Sequence, residues 1–144
     1  MTRVVRAVGW GVLALALVAC SGERQPPVLR LMSKSYAFSI QPSDSPPRAR
    51  EDIIYKVTVR DRKTNEPIDN GIGQIFADMG QVQGPHTWDG LANSPEPGTY
   101  RAKLNFTLSG TWAMAVRFQR DSLHPLERVD WMQEVYDERP DSIP

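Results

Sequence analysis

One thiol, two imidazoles and a scatter of carboxylates are the groups in this 144-residue chain able to do chemistry. Cys20 is the single cysteine, which excludes an internal disulfide framework and a zinc site built from several thiolates. His86 falls between Asp78 and Asp89, a set that a fold could arrange for hydrolysis. No serine nucleophile sits in a Gly-x-Ser-x-Gly turn, however. No phosphate-binding loop, dinucleotide fingerprint or His-Glu-x-x-His pair occurs either. The second imidazole, His124, lies in a distant segment. Lys and Arg number 17 and Asp and Glu also number 17, so the chain lacks the basic balance that binds nucleic acid. These residues predict a protein that is not an enzyme and has no nucleic-acid partner.

The thiol has the most informative surroundings. Arg3 and Arg6 precede an apolar run from Ala7 to Ala19, with no acidic residue among them. A basic start and about a dozen apolar residues make the layout of a secretory signal, too short for the roughly 20 residues that span a bilayer. The run ends in Leu17-Val18-Ala19-Cys20. That segment resembles the lipobox of bacterial lipoproteins. The resemblance implies that residues 1–19 are a cleaved signal peptide and that Cys20 carries the lipid. Acyl chains contribute roughly 0.8 kcal/mol per buried methylene, and two or more anchor stably where one does not. The expected partner is therefore a membrane, on the exported face of a bacterial envelope. Ser21 stands where an Asp often marks inner-membrane retention, which favours the periplasmic face of the outer membrane in a Gram-negative source.

The rest of the chain must supply a body for that anchor. Residues 20–33 contain Gly22, Pro26 and Pro27 among charges and read as a tether. From residue 34 the apolar period is two, as strands require. Tyr36, Phe38 and Ile40 alternate with smaller or polar residues, and Ile53, Tyr55, Val57 and Val59 do the same. Ile72 to Ala77 predicts a third strand, and Thr87 to Leu91 a short one after a loop-rich stretch. Tyr100 to Leu108 and Trp112 to Phe118 alternate most regularly; the Ser109-Gly110 link between them reads as the turn of an antiparallel hairpin. Residues 126–136 fit either a strand, with Val129, Trp131 and Val135 on one side, or a short helix. Six or seven short strands with aromatic faces need two sheets to bury them. The predicted fold is an all-β, immunoglobulin-like antiparallel β-sandwich over residues 34–136, followed by a frayed acidic tail, 137–144.

Tyr55-Lys-Val-Thr-Val-Arg-Asp61 with Glu66-Pro67-Ile68, then Gly98-Thr-Tyr100 and Gly110-Thr-Trp112, resemble the strand patterns of the YtkA-like and FixH-like families. On physical grounds Gly98 and Gly110 turn the chain at positive φ, and Tyr100 and Trp112 plug the sandwich with their polar tips on backbone. These four read as structural residues. The resemblance also implies copper handling through a Met-and-His loop, here Met79 and His86. A thioether and an imidazole suit copper, but two ligands are too few to close a site.

Trp88 and Trp131 lie outside the cleanest strands and are candidate contacts for an envelope protein. The expected function is that of a non-catalytic binding or accessory module. The alternative is a copper-handling module using Met79 and His86.

Overall fold

Nine strands make up the fold, and the central ones, with alternating apolar and polar residues, bury alternate side chains. In the computed structural model, which describes residues 25–139, they are β1 (Leu29–Met32), β2 (Tyr36–Pro42), β3 (Asp52–Asp61), β4 (Ile72–Asp78), β5 (His86–Gly90), β6 (Ala92–Asn93), β7 (Thr99–Asn105), β8 (Gly110–Gln119) and β9 (Glu127–Val135). One sheet has the order β1-β2-β3-β7-β6, the other β5-β4-β8-β9, and every pairing within them is antiparallel. The order β2-β3-β7-β6 against β4-β8-β9 reproduces the ABED and CFG sheets of an immunoglobulin constant-type domain. Strands β1 and β5 extend it at the edges.

The core fills the space between the sheets. Phe38, Tyr55, Val57 and Leu104 from one sheet meet Ile75, Trp112, Val116 and Phe118 from the other, all buried. Phe118 is the hub of an edge-to-face aromatic cluster, with ring centroids 5.1 Å from Tyr36 and 5.4 Å from Tyr100. At the far end Trp112 stands 5.1 Å from Phe106. Among the described residues, every member of this core lies between Tyr36 and Val135, and the strands of both sheets lie within 29–135.

Three expectations change, and the alternative left open at residues 126–136 resolves to a strand. Residues 29–32, read as tether, form an edge strand in which Leu29 sits opposite Ile40 and Leu31 opposite Phe38. Their two-residue period is too brief to stand out beside Pro26-Pro27. Strands β7 and β8 are not a hairpin: they belong to different sheets, and residues 106–109 carry the chain across the core. Strands that face each other across a core and strands that lie side by side have the same apolar alternation, so the period could not separate them. Residues 126–136 hold strand β9 rather than a helix. Finally, the start of the tail is fastened: Arg50 pairs with Glu138 at 2.6 Å, Ser109 donates to Asp137 at 2.5 Å, and Arg139 pairs with Asp44. The expected signal peptide, 1–19, and Cys20 lie outside the described residues, as do 140–144.

Candidate docking face

Strand β4 turns Ile75 and Ala77 inward, so Phe76 points out of the sheet. The ladder then fixes its neighbours. Trp88 of β5 stands opposite Phe76 on one side and Ala115 of β8 on the other. Arg117 is opposite Gln74 and also opposite Arg128 of β9, so both arginines emerge on the same face. Each guanidinium lies 4.9 Å from the centroid of the Phe76 ring. A planar cation over an aromatic face is attracted by the ring quadrupole and stays more dehydrated than a free one. Arg128 is tied to Asp130 at 2.6 Å, and that carboxylate raises its pKa further above the ordinary arginine value. Arg117 has no carboxylate within ion-pairing distance among the described residues.

Trp88 is 62% exposed and walls a hollow of about 300 Å³ with Phe76, Arg117 and His86. Exposed Ile72, Leu126 and Met132 extend apolar surface around it. Aromatic residues and arginine dominate the energetic centres of protein interfaces because they cover much area at small entropic cost. The outer face of β5-β4-β8-β9 has that composition at its middle.

The other candidates separate. Met79 packs against the core edge, with its methyl carbon 3.0 Å from where a Cβ on Gly110 would stand, whereas His86 is exposed on the outer face with Nδ1 3.4 Å from the Gly84 carbonyl. No group of three or more His, Cys, Asp or Glu that could hold a metal occurs among the described residues. The copper reading is therefore not supported: the two side chains serve different surfaces. Trp131 does not join Trp88. It lies on the inward side of β9, half-buried against the core. Asp89 accepts from the backbone N–H of Lys103 at 2.7 Å and of Gly90 at 2.9 Å, which ties β5 to β7. His124 pairs with Asp121 at 2.7 Å in the β8–β9 turn, and that contact pulls the Asp121 pKa down.

The four framework residues make specific contacts. Gly98 has φ +63°, donates to Asp69 at 2.6 Å and accepts from Val59 N–H at 2.8 Å. Tyr100 donates its hydroxyl proton to the Ile68 carbonyl at 2.5 Å and accepts from Gly71 N–H at 2.9 Å. This pins the segment that leads into β4. Gly110 has φ +126°, and Trp112 Nε1 donates to the Leu108 carbonyl at 3.1 Å. The match to a family model, YtkA-like, covers residues 30–117, well over half of the chain, and includes all four. The chain belongs to the YtkA-like family. Searches of curated proteins and of solved structures returned no match.

The YtkA-like match runs from β1 into β8 and stops at Arg117, so it takes in Phe76 and Trp88 but not β9. The sequence reading missed Phe76, Arg117 and Arg128 as a group. The available signal was a bulky aromatic on the polar phase of a strand, Phe76 between inward Ile75 and Ala77. The arginines could be placed over it only once β4, β8 and β9 were known to be neighbours.

Proposed function

We propose that this YtkA-like protein is an accessory module of the bacterial envelope, held to a membrane through a lipid on Cys20 and docking non-catalytically onto an envelope protein. The observation that carries the docking role is the outward, half-buried Phe76 flanked by two guanidiniums beside the exposed Trp88. The partner surface this fits is an apolar patch edged by a carboxylate, which Arg117 would pair. The lipid anchor rests on the lipobox resemblance and places the body on the exported face. The non-catalytic reading draws support from Asp89 and His124, whose polar groups are engaged in structural bonds.

Photo-crosslinking in intact cells tests the docking role. A crosslinking side chain at Trp88 or at Arg117 is expected to yield the same discrete adduct, and one at Arg101, on the opposite sheet, is expected to yield none. Arg117→Glu should abolish the Trp88 adduct by placing a carboxylate against a carboxylate. Equal adducts from all three positions, or an Arg117→Glu chain that still forms them, overturns the docking face. Palmitate labelling tests the anchor separately: Cys20→Ala should abolish it, and undiminished labelling refutes lipidation at that thiol.

A further inference from the structure

Three connections meet at one end of the sandwich: 33–35 between β1 and β2, 62–71 after β3, and 120–126 between β8 and β9. Tyr36 stands opposite Asp61 in the β2-β3 ladder, and Arg62 N–H donates to the Ser35 carbonyl at 2.9 Å, which joins the first two. The third arrives from the other sheet. Arg120 N–H donates to the hydroxyl of buried Tyr36 at 3.0 Å, and Arg120 Nη2 donates to Asp61 at 2.7 Å. A hollow of about 240 Å³ lies among these connections, lined by Lys34, Lys63, Arg120 and His124, with Asp61 as the one carboxylate among its described lining residues.

The carboxylates at this end are engaged by the fold. Besides the Arg120 contact, Asp61 accepts from Lys63 N–H at 2.8 Å and Thr64 N–H at 3.1 Å. Asp121 closes its own turn on Leu123 N–H at 2.9 Å and on the His124 ring at 2.7 Å, and Glu127 accepts from Ser35 N–H at 2.8 Å. The cations are left open. Lys34 and Lys63 have no carboxylate within ion-pairing distance among the described residues, and the Asp61 bond occupies one guanidinium nitrogen of Arg120. Three permanent cations thus converge on one hollow against a single lining carboxylate. Like charges brought together repel, and a bound anion relieves that repulsion.

We propose that this hollow binds a phosphate dianion, free or as a monoester. The excess of two positive charges among the lining residues matches a group that carries close to two negative charges at neutral pH. A tetrahedral phosphate presents oxygens in several directions, as donors on three separate connections require, whereas a carboxylate has two oxygens in one plane. The open nitrogens of Arg120 suit a forked contact with two phosphate oxygens, and the ammoniums of Lys34 and Lys63 act as point charges. The volume admits roughly eight water-sized groups, enough for a phosphoryl group and a few attached atoms. The hollow shares no lining residue with the Phe76 face, so each stands or falls without the other.

Nuclear magnetic resonance of the full chain in neutral detergent tests the proposal, at pH 7.5 and constant ionic strength, with circular dichroism to verify folding of each variant. Inorganic phosphate is expected to shift the amides of 33–36, 61–64 and 120–124 saturably, with Kd tighter than about 1 mM. Acetate should bind about tenfold more weakly or not at all. Lys34→Gln and Lys63→Gln should each weaken phosphate about tenfold, and the pair together should abolish saturation. Lys103→Gln, on β7 at the opposite end, should leave the affinity unchanged. Micelles doped with phosphatidic acid offer the same group on a lipid. The same shifts at a lower phosphate concentration would support the site with a headgroup as its source, and their absence beside binding of the free ion would support it with a soluble source. Non-saturable shifts spread over lysines at both ends would mean an adventitious ion only and overturn the proposal. Acetate binding equal to phosphate, or native affinity in the Lys34→Gln, Lys63→Gln pair, overturns it as well.

Discussion

Two buried tyrosines of this sandwich should respond in opposite directions to loss of one oxygen atom. Tyr100→Phe removes the donor to the Ile68 carbonyl, at 2.5 Å, and the acceptor for Gly71 N–H, at 2.9 Å. Ile68 is buried at 4% exposure, so its carbonyl loses a partner that water cannot replace; that costs about 1–3 kcal/mol. Gly71 is only half-buried, and water can recover part of its bond, leaving about 0.5–1 kcal/mol. The expected total is about 2–3 kcal/mol. For a body of this size that lowers Tm by about 8–12 °C. Tyr55→Phe removes a hydroxyl that has no partner, and is expected to be neutral or stabilising by up to about 1 kcal/mol. Urea titration of the two variants of fragment 21–144 by circular dichroism reads both values, and an unchanged m-value confirms that the same surface unfolds. Amide exchange should quicken across residues 68–71 in Tyr100→Phe alone. A cost below about 0.5 kcal/mol for Tyr100→Phe, or a Tyr55→Phe penalty equal to it, would refute the idea that the pinned 68–71 segment and the orphaned hydroxyl distinguish these residues.

Gly98→Ala should cost more than either. A Cβ there would stand 2.7 Å from the Val59 carbonyl oxygen and 2.8 Å from Pro67 Cβ, at a φ of +63° that itself costs about 1–2 kcal/mol for an L residue. Denaturation of the purified variant is expected to show a loss above about 3 kcal/mol, and a loss under 1 kcal/mol would mean the turn re-forms without strain. Alkaline pH should also destabilise the fold. Burial pushes the Tyr55 phenol well above its ordinary range, and burial acts in the same direction on Tyr100. The unfolded chain releases these protons near pH 10 while the folded body keeps them, so stability is complete below that value and falls as pH rises beyond it. Tyr55→Phe should flatten this fall by up to about 1.4 kcal/mol per pH unit, measured by urea unfolding between pH 9 and 11.

The chain by itself determined that the body is all strand, because the two-residue period of Tyr36 to Ile40, Ile53 to Val59 and Tyr100 to Phe106 admits no helix and each face had to be buried. It also marked two positions of positive φ, Gly98 and Gly110, but not Arg50, Asn65, Asn70 or Gly80, which take the same region in turns that carry no such aromatic pattern. Strand neighbours were a different matter. Period two records which side of a strand is apolar and nothing about the strand beside it, so the Tyr100 and Trp112 segments looked like a hairpin and proved to face each other across the core. The same limit hid the docking face. Phe76, Arg117 and Arg128 are separated by up to 52 positions in the sequence, and only the β4-β8-β9 pairing stacks them. Trp131 and Trp88 are one residue type with two fates, one walling a seam between sheet edges and the other lying open on a sheet. Which side of its strand a residue takes is local and legible in sequence; what lies across from it depends on contacts between distant segments, which form only when the two sheets close on one another.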